Sequence, residues 1–227
     1  MNAPGVLAAP PAARQSYSIS DFDTIRLEAP VEVAITTGKG ASATGTGDRE
    51  TLDMLNLEMN SRTLVIRMRN SFTLGGSGGK PRLPTRIALA TGGLTRVAVL
   101  GAGNLTADAL KGARVNATLS GSGRLTVGQV DADRIDAGQS GSGTMILAGK
   151  ALELVTTASG SGRLDGTALD ARRVRVTTEG SVDVQLTARE EADANANGTG
   201  QISITGKARC TVRKIGSASI HCGGAVY

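Results

Sequence analysis

The sequence predicts an all-β chain wound as a parallel β-solenoid with about 20 residues per coil. Three observations carry that prediction. A glycine–small–glycine step recurs at near-constant spacing, apolar residues alternate with polar ones on both sides of each step, and the composition excludes an aromatic core. The 227 residues include 31 glycines and no tryptophan, and Tyr17, Phe22, Phe72 and Tyr227 are the only aromatics. The interior must therefore be filled by small aliphatic side chains. A hydrophobic content of 40% separates the chain from disordered sequences. No apolar run approaches the roughly 18 to 20 residues of a membrane-spanning helix.

The steps begin at Gly101, Gly121, Gly141, Gly160, Gly180, Gly198 and Gly216, separated by 20, 20, 19, 20, 18 and 18 residues. Four positions after each glycine stand Leu105, Leu125, Met145, Leu164, Val184, Ile202 and Ile220. Six positions after it stand Ala107, Val127, Leu147, Gly166, Leu186, Ile204 and Cys222. The intervening row is Thr106, Thr126, Ile146, Asp165, Gln185, Ser203 and His221, polar at every place but one. A period of two marks a strand with one buried face. Six positions before the glycine, Thr95, Val115, Ile135, Leu154, Val174, Ala192 and Cys210 form a further small or apolar row; four before it come Val97, Ala117, Ala137, Thr156, Val176, Ala194 and Val212. Each unit thus holds two or more short strands meeting at a glycine corner. No unit can bury its apolar row alone, so the units must stack. The first glycine of each step is expected to supply a positive φ at the bend. Val182 and Ala218 occupy the second place in two copies, so that place is expected to tolerate a Cβ.

Ahead of Gly101 the period is not evident, though strand texture persists in Tyr17–Leu27, Val31–Thr37, Leu55–Met59 and Thr63–Arg69. Breaks fall at Gly38–Gly40, Asn60–Arg62 and the glycine loop Gly75–Gly79, and Asp48–Met54 suits one helical turn. This part reads as irregular N-terminal coils capping the stack, with a separate small β domain as the competitor. Residues 1–15, rich in Ala and Pro, read as a disordered lead-in to a single domain spanning 16–227. Met1–Arg14 lacks both the basic start and the apolar run of a signal peptide.

The opening FDTIRLEAPVEVAITTG, Phe22 to Gly38, combined with the later GSG steps, resembles the GIN domain family of auto-transporter adhesin heads, a domain of unknown function. The resemblance runs from about Phe22 to Cys222. It implies a right-handed parallel β-helix exported to the bacterial envelope, periplasmic or at the cell surface, and it supplies no catalytic residue. The family's commoner GSGD form is not kept: Arg124, Thr144, Arg163, Gln201 and Ser219 follow the second place, and Asp183 alone is acidic. A stacked acidic row for calcium, which takes six or more oxygen ligands, is therefore not expected.

Residues for other chemistries are present. Asp131, Asp133 and Asp136 with Arg134, and Asp165 a coil or two away, are the candidates for acid–base attack on a polysaccharide, the alternative to a non-catalytic module. The same residues suit a solvated corner. Cys210, His221 and Cys222 supply three of the four ligands a structural zinc site needs. A Cys210–Cys222 disulfide fits better than zinc or free thiols, and it implies an oxidising compartment. The net charge of +5, from 25 basic and 20 acidic residues, shows no basic run, and scarce aromatics argue against a specific nucleic-acid partner. The expectation is a structural or adhesin-like module without metal or cofactor. Its outward residues Thr106, Thr126, Asp165, Gln185 and Ser203 would meet an envelope glycan or protein, and its uncovered end coils could self-associate.

Overall fold

A computed structural model describes residues 12–69 and 84–226. Its strands join one 17-stranded sheet that coils upon itself as a β-solenoid. The N-terminal elements are β1 (Ala13–Tyr17), β2 (Thr24–Leu27), β3 (Glu32–Thr37), β4 (Ser42–Gly47), α1 (Arg49–Met54), β5 (Leu55–Asn60), β6 (Thr63–Met68), β7 (Arg86–Thr91) and β8 (Arg96–Gly101). The repeat then gives β9 (Asn104–Gly121), β10 (Arg124–Gly141), β11 (Thr144–Gly160), β12 (Arg163–Gly180), β13 (Asp183–Gly198) and β14 (Gln201–Thr205). The final coil holds β15 (Arg209–Gly216), β16 (Ser219–Cys222) and β17 (Ala225–Val226).

The apolar rows are columns. Leu105, Leu125, Met145, Leu164, Val184, Ile202 and Ile220 follow one another in parallel register, each with no exposed surface. Full burial of such a side chain stabilises by roughly 1.5–3 kcal/mol, so the column is a principal source of cohesion. The units are not built from short strands as the alternation suggests. β9 to β13 each run 16 to 18 residues without a break. The backbone keeps its pairing with the coil below while it bends, so a change of side does not end the strand.

At the corner, the N–H after each glycine from Gly121 onward donates to the carbonyl of the glycine one coil earlier, as in Ser142 N to Gly121 O at 3.1 Å and Ser161 N to Gly141 O at 3.0 Å. All seven glycines have positive φ, from +91° at Gly180 to +135° at Gly198. At Gly141 a Cβ would lie 2.6 Å from the Gly121 carbonyl oxygen, so conformation and space both require glycine. The second place is tighter than the sequence suggests. A Cβ on Gly123 would stand 2.1 Å from Gly103 O, and one on Gly200 2.2 Å from Val182 O; Val182 and Ala218 are accommodated with their side chains buried.

The region before Gly101 differs most from expectation. The β2–β3 coil lies between the β6–β7 coil and the β8–β9 coil: Ile25 pairs with both Leu64 and Val97, and Val33 with both Ile87 and Leu105. Chain order and stacking order are thus exchanged, and this hides the period. The stretch Tyr17–Leu27 is two strands separated by residues 18–23. Within that connection the Thr91 hydroxyl donates to Asp21 at 2.8 Å and accepts the Phe22 N–H at 3.3 Å. The Gly92 N–H and then the Thr91 hydroxyl hold the Asp21 carboxyl below its ordinary range. Ala13–Gln15, assigned by sequence to the lead-in, lie in β1 because their backbone pairs antiparallel with Gly45–Gly47. Such ladder bonds need no apolar side chain. The rest of the lead-in through residue 11, and the Gly75–Gly79 loop, fall outside the described residues. The helical turn is present as α1, capped by the Asp48 carboxylate accepting the Thr51 N–H at 3.4 Å.

One column runs Leu119, Gln139, Ala158, Thr178, Ala196 and ends at exposed Lys214, and Gln139 is its one buried amide. Gln139 lies between Leu119 and Ala158, 3% exposed; its amide donates to Gly143 O at 2.7 Å while its own oxygen has no partner. Gly143 O also accepts the Arg163 N–H, so Gln139→Leu orphans no group; thermal unfolding should show a gain of about 1 kcal/mol. Gly141→Ala should cost on the order of 3 kcal/mol in the same measurement, through forced positive φ and the carbonyl clash, whereas the neighbouring exposed Ser142→Ala should be nearly neutral.

Candidate functional site

The strands that follow the corner form one broad outward side. Its register runs from β1 through β4, β7, β3 and β9 to β14 and β16. Alternate residues on each strand face out, which creates two parallel rows across the strands. One row reads Arg14, Thr46, Arg86, Glu32, Asn104, Arg124, Thr144, Arg163, Asp183, Gln201 and Ser219. The other reads Ser16, Thr44, Ala88, Ala34, Thr106, Thr126, Ile146, Asp165, Gln185, Ser203 and His221. Thr106, Thr126, Asp165, Gln185 and Ser203 thus share one row, joined by residues from β1, β3, β4 and β7 that the period does not reach.

At the N-terminal part of this side lies a shallow concavity of about 720 Å³. Ala34, Ala88, Thr44 and Thr106 supply small side chains, and Arg14, Arg86 and Arg124 supply charge beside them. Glu32 pairs with Arg86 at 2.7 Å; Arg14 and Arg124 have no ion pair among the described residues. At about 4.8 Å per strand, Arg86 lies about 10 Å from Arg14 and about 14 Å from Arg124 along the row. The Arg124 row was legible in the repeat. Its continuation to Arg86 and Arg14 depends on the exchanged coil order.

Of the candidate acid–base residues, Asp131 and Asp133 share a groove, and Asp136 and Asp165 lie on other sides of the coil. Asp131 lies on a third side of the coil, in register between Lys111 and Lys150, and lines a groove of about 770 Å³ with Asp133, Lys150, Asp170, Arg172 and Arg189. Asp136 lies on the side that precedes the corner, paired with Arg134 at 2.7 Å; Arg134 also meets Glu153 at 3.0 Å. Asp165 lies on the post-corner side, its carboxyl held below the usual range by the Thr167 hydroxyl and backbone N–H. Asp170, in the groove, is held low chiefly by its hydrogen bonds from Arg189. The groove therefore carries an alternating column, Lys111, Asp131, Lys150, Asp170, rather than a carboxylate pair across a cleft.

Cys210 and Cys222 are joined, with sulfurs 2.02 Å apart and Cα atoms 6.1 Å apart. The bond ties β15 to β16 across the last corner. The proposed trio consequently offers a metal only the His221 imidazole, and that ring is hydrogen-bonded to the Ser219 hydroxyl at 3.1 Å. Among the described residues no helix is long and apolar enough to cross a membrane.

Stacked coils joined in one continuous sheet, with a broad polar side, define a β-solenoid. The chain belongs to the family described as "Putative auto-transporter adhesin, head GIN domain", whose model matches residues 21–208. Among solved structures it is similar to a "putative adhesin" from Bacteroides fragilis, 19% identical, TM-score 0.78, covering 96% of this chain and 100% of that one. It is also similar to a "putative lipid binding protein" from Parabacteroides distasonis, 20% identical, TM-score 0.73, covering 94% and 97%. A third, a "putative adhesin" from Parabacteroides merdae, is 18% identical with TM-score 0.69, covering 94% and 96%. At these identities the likeness is one of fold. A search of curated proteins found no match.

The disulfide lies beyond the family match and closes a 12-residue separation. Replacing both cysteines by serine should lower stability by roughly 3 kcal/mol, the loop-closure value, read as a fall in melting temperature that reducing agent reproduces in the unmodified chain.

Proposed function

We propose that this chain is a non-catalytic, exported binding module of the cell envelope, adhesin-like, which uses its post-corner side to hold an extended ligand across the strands. The module begins at β1 and includes all the coils. The observation that carries the reading is the paired rows: cations at Arg14, Arg86 and Arg124 beside a flat row of Ser, Thr and Ala. A chain laid along the small row would place acidic groups against Arg14 and Arg124, which have no carboxylate partner among the described residues. Charge-assisted hydrogen bonds to guanidinium are the strong ones. Parallel backbone ladders on every coil make the surface rigid, so little ordering cost falls on the protein when it binds.

Family membership and the adhesin descriptions of the similar structures support the class. The disulfide supports an oxidising, extracytoplasmic location. An enzyme acting on polysaccharides would need two carboxyl groups within about 5 to 10 Å. Asp136 and Asp165 lie on sides of the coil away from Asp131 and Asp133, and Asp136 is occupied by Arg134. In the groove Lys150 stands in register between Asp131 and Asp170, and Asp170 is occupied by Arg189, so cations fill the space a substrate would need between the carboxylates.

A glycan array with purified protein tests the reading. Capture of linear acidic glycans is expected, with Arg14→Gln and Arg124→Gln each weakening it about tenfold or more, the value of a lost charged hydrogen bond. Cleavage of a captured glycan, or affinity unchanged in the double variant, would refute it.

A further inference from the structure

The final coil differs from every other in charge. Residues 199–226 hold Lys207, Arg209, Arg213 and Lys214 and no Asp or Glu, so four of the five net positive charges of the chain lie in this one coil. The two coils before it pair many of their cations: Arg163 with Asp183, Arg172 with Glu190, Arg175 with Asp193 and Arg189 with Asp170. Arg209 lies in register over Glu191; Arg213 lies over Asn195 and Lys214 over Ala196. Lys214 occupies a position that is buried in the preceding coils, from Leu119 through Ala196, yet it is exposed here. The same coil carries two of the three exposed large hydrophobic residues among those described, Ile215 at 71% and Val226 at 69%.

Charges on an edge strand block edge-to-edge pairing, and that role accounts for cations on β15. It does not account for Ile215 and Val226 standing in solvent beside them. A second copy docked tail to tail would bring two such basic coils together, which like-charge repulsion opposes. A soluble acidic polymer would satisfy the cations and leave the apolar side chains wet. A surface with negative charge at its boundary and hydrocarbon beneath satisfies both.

We propose that the final coil is a docking end for an anionic phospholipid surface, with Lys207, Arg213 and Lys214 against the headgroups and Ile215 and Val226 entering the boundary with the acyl chains. This end is separate from the concavity between Arg14 and Arg124. It holds the stack end-on, so the post-corner side remains free.

Vesicle sedimentation tests the docking. The unmodified chain should sediment with vesicles of phosphatidylglycerol and phosphatidylcholine in equal parts, remain in solution with phosphatidylcholine alone, and be released by high salt. Each cation removed should lower the partition coefficient about fivefold, so the double variant Arg213→Gln, Lys214→Gln should lose roughly twenty-five-fold. Ile215→Ser should lower it with the charge intact, and Arg96→Gln, an exposed arginine on the pre-corner side, should leave it unchanged. These positions are exposed, and a melting curve for each variant verifies the fold. Equal sedimentation with neutral vesicles, none with anionic vesicles, an unchanged coefficient in the double variant, or retention by heparin without vesicle binding would each overturn the proposal.

Discussion

The structure depends on the close approach of the backbone to itself at the corner. From Gly121 onward, the N–H following each corner glycine reaches the glycine carbonyl one coil earlier at 2.8 to 3.1 Å, and a Cβ at Gly141 would intrude to 2.6 Å of the Gly121 oxygen. Only a residue without a side chain permits both the bend and the contact. Once the corner is fixed, residues four and six places later are carried onto their counterparts in the next coil, and the apolar columns follow. The column of Leu125, Met145 and Leu164 is thus a result of the corner as much as of its own hydrophobicity.

That dependence explains what could be read in advance. From Gly101 onward the corner recurs in the sequence itself, so the rows, their facing and the packing of Leu125 on Met145 follow from counting. Before Gly101 counting fails for a topological reason. Ile25 touches Leu64 and Val97 on its two sides, neighbours 39 and 72 positions away, and no fixed period produces such a pair. Gln139 differs: two places before the corner it is in phase with the inward rows, but a lone amide gives no sign in the sequence that its side chain folds under Gly143.

The candidate surface shows the same division. Thr106, Thr126, Asp165, Gln185 and Ser203 are one residue per coil and were legible. Arg14 and Arg86 join the Arg124 row through antiparallel pairing of β1, β4 and β7, which the repeat does not encode. The basic final coil was hidden by averaging: a net charge of five is small for 227 residues, and only the coil boundaries show how much of it is concentrated in residues 207–214. The carboxylates that suggested acid–base chemistry were close in sequence, but a coil bends between Asp131 and Asp136 and sends them to different sides.

The exchanged order of the first coils bears on synthesis. A nascent chain emerges from its N-terminus, yet β2 and β3 have no complete site until β6 to β9 have followed, because their pairing partners on both sides lie downstream. The regular coils need only the preceding 18 to 20 residues as a template. Folding on the ribosome would therefore not proceed strictly from the first strand. The earliest segment must wait, exposed, for about a third of the polypeptide to be made, and a chaperone acting on this protein would find its client there.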